Sequence, residues 1–433
     1  MGIRMRWPSF VGFGNHDAFA QPLSREARVA LFIHGCFQFG ASMSGLFLNL
    51  YLWRLTEDLV INGVFNMIVY GVTPLAFGLG GWIAKKKDRM VTYRLGVALI
   101  TVFFLVVIFA GENVVDYYPW FAIFNGMALG LYWTGYLVLM YDVTNAANRS
   151  RYMGVNMIVF NSAGLAGPAL SGFLIGLFDG LKGYLLIFAV ASALFGIASF
   201  FSLRIRSTES HHRNYYLNFT GAMMKRSRLW VSSLVAFIVL GLSQGLMLFL
   251  PNILMYQTAG REDQVGYLTV LFALLTIATG FFISRRNNRP RIRRELTLAS
   301  LCIVAGAAAL FIDIALWTVI LFMSVYSLLA PFVVNTMTTY YYAIMDHLPM
   351  KGMFRIESVV VRELFLNVGR VLSILSLVAF AGEVESPALP VMVVATSVTL
   401  AGIALFVRDR IEDDRPGKKF ATDEKRAVSG NAR

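Results

Sequence analysis

The stretch that decides the fold is residues 59–89, LVINGVFNMIVYGVTPLAFGLGGWIAKKKDR, an apolar run that ends in a basic cluster. About 20 apolar residues in an α-helix cross the roughly 30 Å hydrocarbon core of a bilayer, because each residue rises about 1.5 Å. A second apolar run, residues 264–284, leads into the basic sequence RRNNRPRIRR at residues 285–294. Apolar segments of this length, separated by basic breaks, predict an integral membrane protein.

The composition supports this class. The 433 residues are 57% hydrophobic and only 15% charged, whereas a soluble domain carries about 25% charged residues. The net charge of +13 comes from Lys and Arg in the breaks, without a nucleic-acid-binding motif. We therefore expect the lipid bilayer and no nucleic acid as a partner. Cys36 and Cys302 offer no metal-ligand spacing and no disulfide framework, so we predict neither metal nor cofactor.

The hydropathy pattern predicts an all-α protein with twelve transmembrane helices. They lie near residues 27–53, 59–84, 90–111, 117–143, 150–178, 182–205, 229–257, 264–284, 293–313, 316–346, 354–382 and 387–408. Alternate breaks are basic or mixed, and the others are acidic or nearly neutral. Because cytoplasmic loops retain Lys and Arg, this asymmetry predicts that both termini are cytoplasmic.

The two halves of the chain repeat each other. Tyr136 and Asp142 recur about two hundred residues later as Tyr340 and Asp346. Parallel six-span repeats with a binding site at their interface are a transporter architecture. The predicted domains are a cytoplasmic N-terminal segment, two six-helix bundles joined by a cytoplasmic linker, and a charged, disordered cytoplasmic tail. Their bounds are 1–26, 27–206, 207–228, 229–408 and 409–433.

Four short motifs carry a resemblance to a known family. The sequence GWIAKKKDRMVTYR at residues 81–94 resembles the loop signature of the major facilitator superfamily, and so do residues 142–151, DVTNAANRSR. A glycine-rich motif in predicted span 5 resembles one found in proton-driven exporters of this superfamily; it comprises Gly164, Gly167, Pro168 and Gly172. The ending of span 1, NLYLW at residues 49–53, is similar to a branch of bacterial transporters of the superfamily. Together with the twelve-span pattern, these motifs extend the resemblance over essentially the whole chain.

The resemblance implies alternating access, in which the substrate site opens to each side of the membrane in turn. It also implies an inner gate at the cytoplasmic side. The gate residues are Gly81, Asp88, Arg89, Arg94, Asp142, Arg149 and Arg151. One departure is Val91, which stands where the family usually has a glycine shortly after the Asp-Arg pair.

Polar residues inside the predicted spans mark protein interior or a water-filled cavity, because a lipid-facing helix surface is apolar. His34, Gln38 and Asn49 fall on one face of span 1. We predict a substrate cavity lined by Gln38, Asn49, Asn66, Asn125, Tyr132, Trp133, Tyr136, Gln244, Asn335, Thr339, Tyr342 and Asn367. The alternative is that these groups only hydrogen-bond or pack against neighbouring helices.

Span 11 carries Arg362, Glu363, Asn367 and Arg370 within an otherwise apolar segment. Glu363 is a candidate for proton coupling, and Arg370 either holds an anionic group of the substrate or tunes the protonation of Glu363. Two helical turns, roughly 10 Å, separate Glu363 from Arg370, so other groups must complete the network. The remaining proton-coupling candidates are His34 and Asp346. The alternative is a structural charge cluster, with a neutral hydrogen-bonded histidine.

These features predict a monomeric secondary active transporter in a bacterial cytoplasmic membrane. We expect it to move a small organic molecule, outward and coupled to protons. Alternatives are an importer or uniporter of a metabolite or lipid-like substrate, and a non-transporting receptor of the same fold. The sequence shows no metal cluster or intramembrane nucleophile–base set for an enzyme, and no GxxxxGK[ST] loop for nucleotide-driven pumping.

Overall fold

The computed structural model describes residues 23–144, 148–205, 214–285, 292–345, 348 and 354–409. These residues form α-helices joined by turns and short 3-10 helices. The α-helices are α1 (Arg25–Thr56), α2 (Leu59–Lys86), α3 (Arg89–Ala110), α4 (Tyr118–Asp142), α5 (Arg149–Gly176), α6 (Lys182–Ser202), α7 (Thr220–Arg226), α8 (Arg228–Met247), α9 (Leu250–Ala259), α10 (Glu262–Arg285), α11 (Ile292–Ala308), α12 (Leu316–Met345), α13 (Arg355–Phe380), α14 (Ala388–Ala401) and α15 (Ile403–Phe406).

Eleven helical segments of the described residues are long and apolar enough to cross a membrane. Helix α4 is not among them; its 25 residues combine apolar side chains with Gly, Tyr, Trp and Asn. The predicted all-helical membrane architecture is therefore confirmed, with eleven such segments in the described part of the chain.

The first three helices each begin at a polar cap. The Ser24 hydroxyl accepts a hydrogen bond from the Ala27 amide at 3.0 Å, and Asp58 Oδ1 accepts from the Val60 amide at 2.7 Å. Asp88 Oδ1 accepts from the Met90 amide at 2.9 Å. Such caps satisfy backbone N–H groups that lack a partner in the first turn of a helix.

Predicted span 7 is broken into two helices. Helix α8 ends at Met247, and α9 begins at Leu250. Pro251 lies in the first turn of α9, where its missing N–H costs nothing, whereas inside a continuous helix it would remove a hydrogen bond. The break therefore places Pro251 at the start of a helix, although the hydropathy pattern of span 7 is continuous.

Glycines bring several helices into close contact. Gly130 of α4 faces α2, where an added Cβ would lie 2.6 Å from the Thr73 carbonyl oxygen. In the second half of the chain Gly369 of α13 faces α8, where an added Cβ would lie 2.1 Å from the Ile238 carbonyl oxygen. Small residues at such crossings are typical of membrane helices, whose association depends on close packing.

Three helix pairs connect the part of the chain before residue 206 to the part after residue 213: α2 packs against α13, α5 packs against α10, and α1 packs against α9. At the first crossing, Gly63 lies against Val378. At the second, Gly172 of the span 5 motif lies against Gly266, with an added Cβ only 3.0 Å from the Gly266 Cα. The two halves of the chain therefore meet at several helix crossings.

The Gly369→Ala substitution is expected to lower the free energy of unfolding by about 1–3 kcal/mol, because its methyl group would force α8 and α13 apart. Gly45→Ala is the matched control, since an added Cβ at Gly45 of α1 meets no atom within 4 Å. Thermal unfolding of the purified proteins in one detergent measures both. Equal unfolding temperatures for the two variants would contradict the close crossing.

Candidate functional site

Arg370 of α13 is the centre of a polar network inside the membrane region. Its Nη2 donates to Gln244 Oε1 of α8 at 2.8 Å, and its Nη1 donates to Asn367 Oδ1 at 3.2 Å. The guanidinium also lies 5.2 Å from the ring centre of Tyr70 in α2. Arg370 thus connects the two halves of the chain. Among the described residues, it has no carboxylate partner.

Two glycines of α8 let this helix approach α13 closely beside the network. Gly241 and Gly245 both face α13, and an added Cβ at Gly245 would lie 2.5 Å from the Arg370 carbonyl oxygen. Gln244 lies beside Gly245 in the sequence, so the close crossing carries its amide to the guanidinium. The structure brings together three residues that the sequence predicted for the site: Gln244, Asn367 and Arg370.

Glu363 forms an ion pair with the neighbouring Arg362. Both side chains are nearly buried, at 12% and 11% exposed. The Arg362 guanidinium also lies 5.7 Å from the Phe237 ring, 5.9 Å from the Tyr341 ring and 6.0 Å from the Tyr342 ring. Asn367 donates to the Glu363 carbonyl oxygen at 2.8 Å. Asn367 therefore connects the Glu363 backbone to Arg370, and Arg362 neutralises the Glu363 carboxylate.

His34 and the aromatic residues of α4 form a separate cluster inside the first half of the chain. His34 Nδ1 lies 2.8 Å from the Tyr132 hydroxyl, and its ring stacks on Tyr136 at 4.0 Å. Trp133 packs edge-on against Tyr136. Gln38, one turn from His34, is buried, and its Nε2 has no hydrogen-bond partner. Tyr132 is completely buried, so this cluster belongs to the packed interior of these helices.

The other predicted cavity residues lie elsewhere. Asn66 Nδ2 donates to Asn49 Oδ1 at 2.7 Å, which links α2 to α1, and Asn125 is buried in α4. On α12, Asn335, Thr339 and Tyr342 are exposed on one face. The structure thus distributes the predicted cavity residues over several places instead of one.

A cavity of about 260 Å³ lies between α5, α9, α10 and α12. Apolar side chains such as Phe272 and Met323 form its walls, and Asn161 and Asn252 face it from α5 and α9. Gly164 also lines it. Sequence reasoning missed Asn161, because one asparagine in an apolar helix gives no signal of what it faces.

The gate motifs have local partners. Asp88 caps α3, and Arg94 donates to the Ile205 carbonyl oxygen at 2.8 Å, near the end of α6. Gly81 faces Tyr215, whose hydroxyl would lie 3.1 Å from an added Cβ. Arg151 is exposed on α5. Asp346 lies outside the described residues, as do the side chains of Arg89, Asp142 and Arg149.

An inter-half ion pair that sequence reasoning missed lies beside this motif. Lys85 Nζ of α2 contacts Glu357 Oε1 of α13, and the two side chains are 5% and 0% exposed. The connecting segment joins them, since Lys85 donates to the Asn214 carbonyl oxygen at 3.1 Å and the Tyr216 amide donates to Glu357 at 2.9 Å. Burial, with the charge of Glu357, raises the pKa of Tyr215 to about 12, so this phenol remains a donor at physiological pH.

The span 5 motif is a packing element between helices. An added Cβ at Gly167 would lie 2.7 Å from Ser42 of α1. The Pro168 carbonyl oxygen and Gly172 both lie against Gly266 of α10. The motif therefore fixes α5 between α1 on one side and α10 on the other.

Membrane-length helices that cross at glycines define a multi-pass membrane protein. The chain is similar to the D-xylose-proton symporter, with a TM-score of 0.66, 12% identity, and coverage of 88% of this chain and 96% of that one. It is also similar to the nucleoside transporter NupG, with a TM-score of 0.64, 13% identity, and coverage of 89% and 100%.

The sequence comparison identifies the family. The profile of the Major Facilitator Superfamily matches residues 30–354. The uncharacterized protein YqgE of Bacillus subtilis (strain 168) is 25% identical over 395 residues, which cover 91% of this chain and 92% of that protein. The chain therefore belongs to the Major Facilitator Superfamily, and the predicted resemblance is confirmed. Membership of this family supports secondary transport of a small molecule across a membrane as the function of the chain.

Removal of one member of the Lys85–Glu357 pair is expected to destabilise the protein by about 3–5 kcal/mol, because it leaves a buried charge without its partner. The double variant Lys85→Met/Glu357→Gln should recover part of this loss. Thermal unfolding of the two single variants and the double variant measures the coupling. Additive effects would show that the pair contributes nothing as a unit.

Proposed function

We propose that the protein is a secondary active transporter that moves a small organic molecule carrying an anionic group across a bacterial cytoplasmic membrane. The observation that carries this proposal is Arg370, an intramembrane guanidinium between the halves without a carboxylate partner among the described residues. Charged residues at membrane depth are costly, and they mark substrate or ion pathways.

The Arg370 guanidinium has donors to spare. Its Nη1 and Nη2 each donate one bond to a side-chain amide, and its Nε has no hydrogen-bond partner in the described structure. A guanidinium carries five N–H groups and remains protonated in proteins. A carboxylate or phosphate of the substrate would supply both the missing acceptor and the opposite charge.

Alternating access requires contacts that open on one side of the membrane at a time. We propose twelve spans in two bundles, with Lys85–Glu357 as the inner contact. Arg54, in the last turn of α1, and Glu262, at the start of α10, lie 3.4 Å apart. This ion pair would form the outer contact, on the side of the membrane opposite to Lys85–Glu357. Both ion pairs join the first half of the chain to the second, which supports this arrangement.

The Arg370→Met substitution is expected to weaken binding of anionic ligands by roughly 10- to 100-fold, because hydrogen bonds to a charged group contribute about 1.5–3 kcal/mol. Ligands would first be found by a thermal-shift screen of the purified protein against metabolites and drugs. Their saturable flux into proteoliposomes would then be compared between the two proteins.

Arg226→Met is the control, since it removes an exposed arginine of α7. If Arg370→Met retained wild-type affinity and flux for every anionic hit, the proposed role of Arg370 would be wrong. Binding without flux in the wild-type protein would favour a receptor of the same fold.

We further propose outward transport coupled to protons through Glu363. Protonation of this carboxylate would release Arg362 and let it move relative to Phe237, Tyr341 and Tyr342, which belong to α8 and α12. The resemblance of the span 5 motif to that of proton-driven exporters supports the outward direction.

Glu363→Gln should abolish transport driven by a proton gradient but leave exchange of substrate between the two sides of the membrane. The physical reason is that glutamine cannot release a proton. Flux into proteoliposomes with and without a pH gradient measures this, with the exposed Glu112→Gln as control. Full gradient-driven flux in the Glu363→Gln protein would exclude Glu363 as the coupling residue.

A further inference from the structure

The cavity between α5, α9, α10 and α12 contains two side-chain amides without protein partners. Asn161 of α5 and Asn252 of α9 face it from the first and the second half of the chain, and neither side chain makes a hydrogen bond within the described structure. The two threonines of the wall are satisfied: Thr276 donates to the Ser327 carbonyl oxygen at 3.1 Å, and Thr269 donates to the Val265 carbonyl oxygen at 2.8 Å.

An unpaired amide in a membrane region is costly unless a ligand or water satisfies it. Each amide offers two donors and one acceptor oxygen. A molecule that bonds to both Asn161 and Asn252 would connect the two halves, which is the geometry that a transported substrate needs.

The walls of the cavity set the character of such a molecule. Phe160, Phe272, Met255 and Met323 are apolar, and the described cavity wall contains no charged side chain. Its volume of about 260 Å³ lies just below the usual range of small-molecule sites, about 300–1,000 Å³. The cavity therefore suits an uncharged ring system with a polar edge.

One feature favours negative charge next to this apolar space. Gln244 of α8 accepts a hydrogen bond from Arg370 Nη2 at 2.8 Å, and Gln244 precedes Asn252, which faces the cavity, by eight residues. Eight helical residues correspond to roughly 12 Å, so an anionic group attached to a ring in the cavity can reach the Arg370 guanidinium.

We infer that the transported molecule is an amphipathic organic anion whose apolar ring occupies this cavity. Asn161 and Asn252 hydrogen-bond a polar group on the ring and determine specificity, and Arg370 holds the anionic group. This inference rests on the proposed function, because it assigns the cavity and Arg370 to one substrate.

The test uses two probes of similar shape and charge. Indole-3-acetate has a carboxylate and a ring N–H, and naphthalene-1-acetate has a carboxylate on a ring without a polar edge. Equilibrium dialysis of the full chain in lipid nanodiscs against each radiolabelled probe gives the affinities. Wild type should bind both saturably, and indole-3-acetate about tenfold more tightly, because an unpaired polar wall disfavours the analogue that lacks the N–H.

The ring N–H donates to one amide oxygen, so one of the variants Asn161→Leu and Asn252→Leu should remove this preference, lowering the affinity for indole-3-acetate about tenfold and that for naphthalene-1-acetate by less than about twofold. Asn113→Leu, in an exposed turn, should leave both affinities unchanged. Asn161→Ala and Asn252→Ala serve as second variants if the leucine proteins unfold at lower temperature than wild type.

The outcomes separate this inference from the proposed function. Absence of saturable binding of indole-3-acetate to wild type, or equal losses for the two probes in both asparagine variants, would overturn the cavity assignment. If Arg370→Met weakened both probes while both asparagine variants kept the preference, only the cavity assignment would fail. If one asparagine variant lost the preference but wild-type proteoliposomes showed no flux of indole-3-acetate, the cavity would stand and transport would be excluded.

Discussion

Every backbone N–H and C=O in the hydrocarbon region must find its partner inside the protein, and the rest of this structure depends on that constraint. Helices satisfy it within themselves, which leaves close packing to hold them together. Glycines supply the close approach at the crossings of α2 with α4, α5 with α10, and α8 with α13. Once these crossings fix the rotation of each helix, the few polar side chains have fixed neighbours.

The polar side chains divide into groups with different physical roles. The His34–Tyr132 pair and the Asn49–Asn66 pair lie within the first half of the chain and hold its helices together. The polar groups at the boundary between the halves differ because they lack some of their partners within the described structure. Arg370 lacks a carboxylate among the described residues, and Asn161 and Asn252 lack hydrogen-bond partners there. Unsatisfied groups where two bodies meet are suited to binding a third molecule.

The sequence predicts the helices well because hydropathy is a local property, and the family because its motifs are short and contiguous. It predicts the site less well, because a polar residue's neighbours depend on how distant helices are rotated and crossed. Lys85 looks like one of several loop lysines, yet it is buried against Glu357. Gln244 and Arg370, which are 126 residues apart, were both predicted for the site. Their contact depends on Gly241 and Gly245 of α8, whose GxxxG spacing indicates a close helix crossing but does not identify the partner helix.

The segment that connects the two halves hydrogen-bonds both members of the Lys85–Glu357 pair. The Asn214 carbonyl oxygen accepts from the Lys85 ammonium group, and the Tyr216 amide donates to the Glu357 carboxylate. The connecting segment and the ion pair therefore use the same side-chain atoms. In the proposed transport cycle, rupture of the ion pair and detachment of this segment are then one cooperative event, and this end of the interface opens in a single step instead of widening gradually.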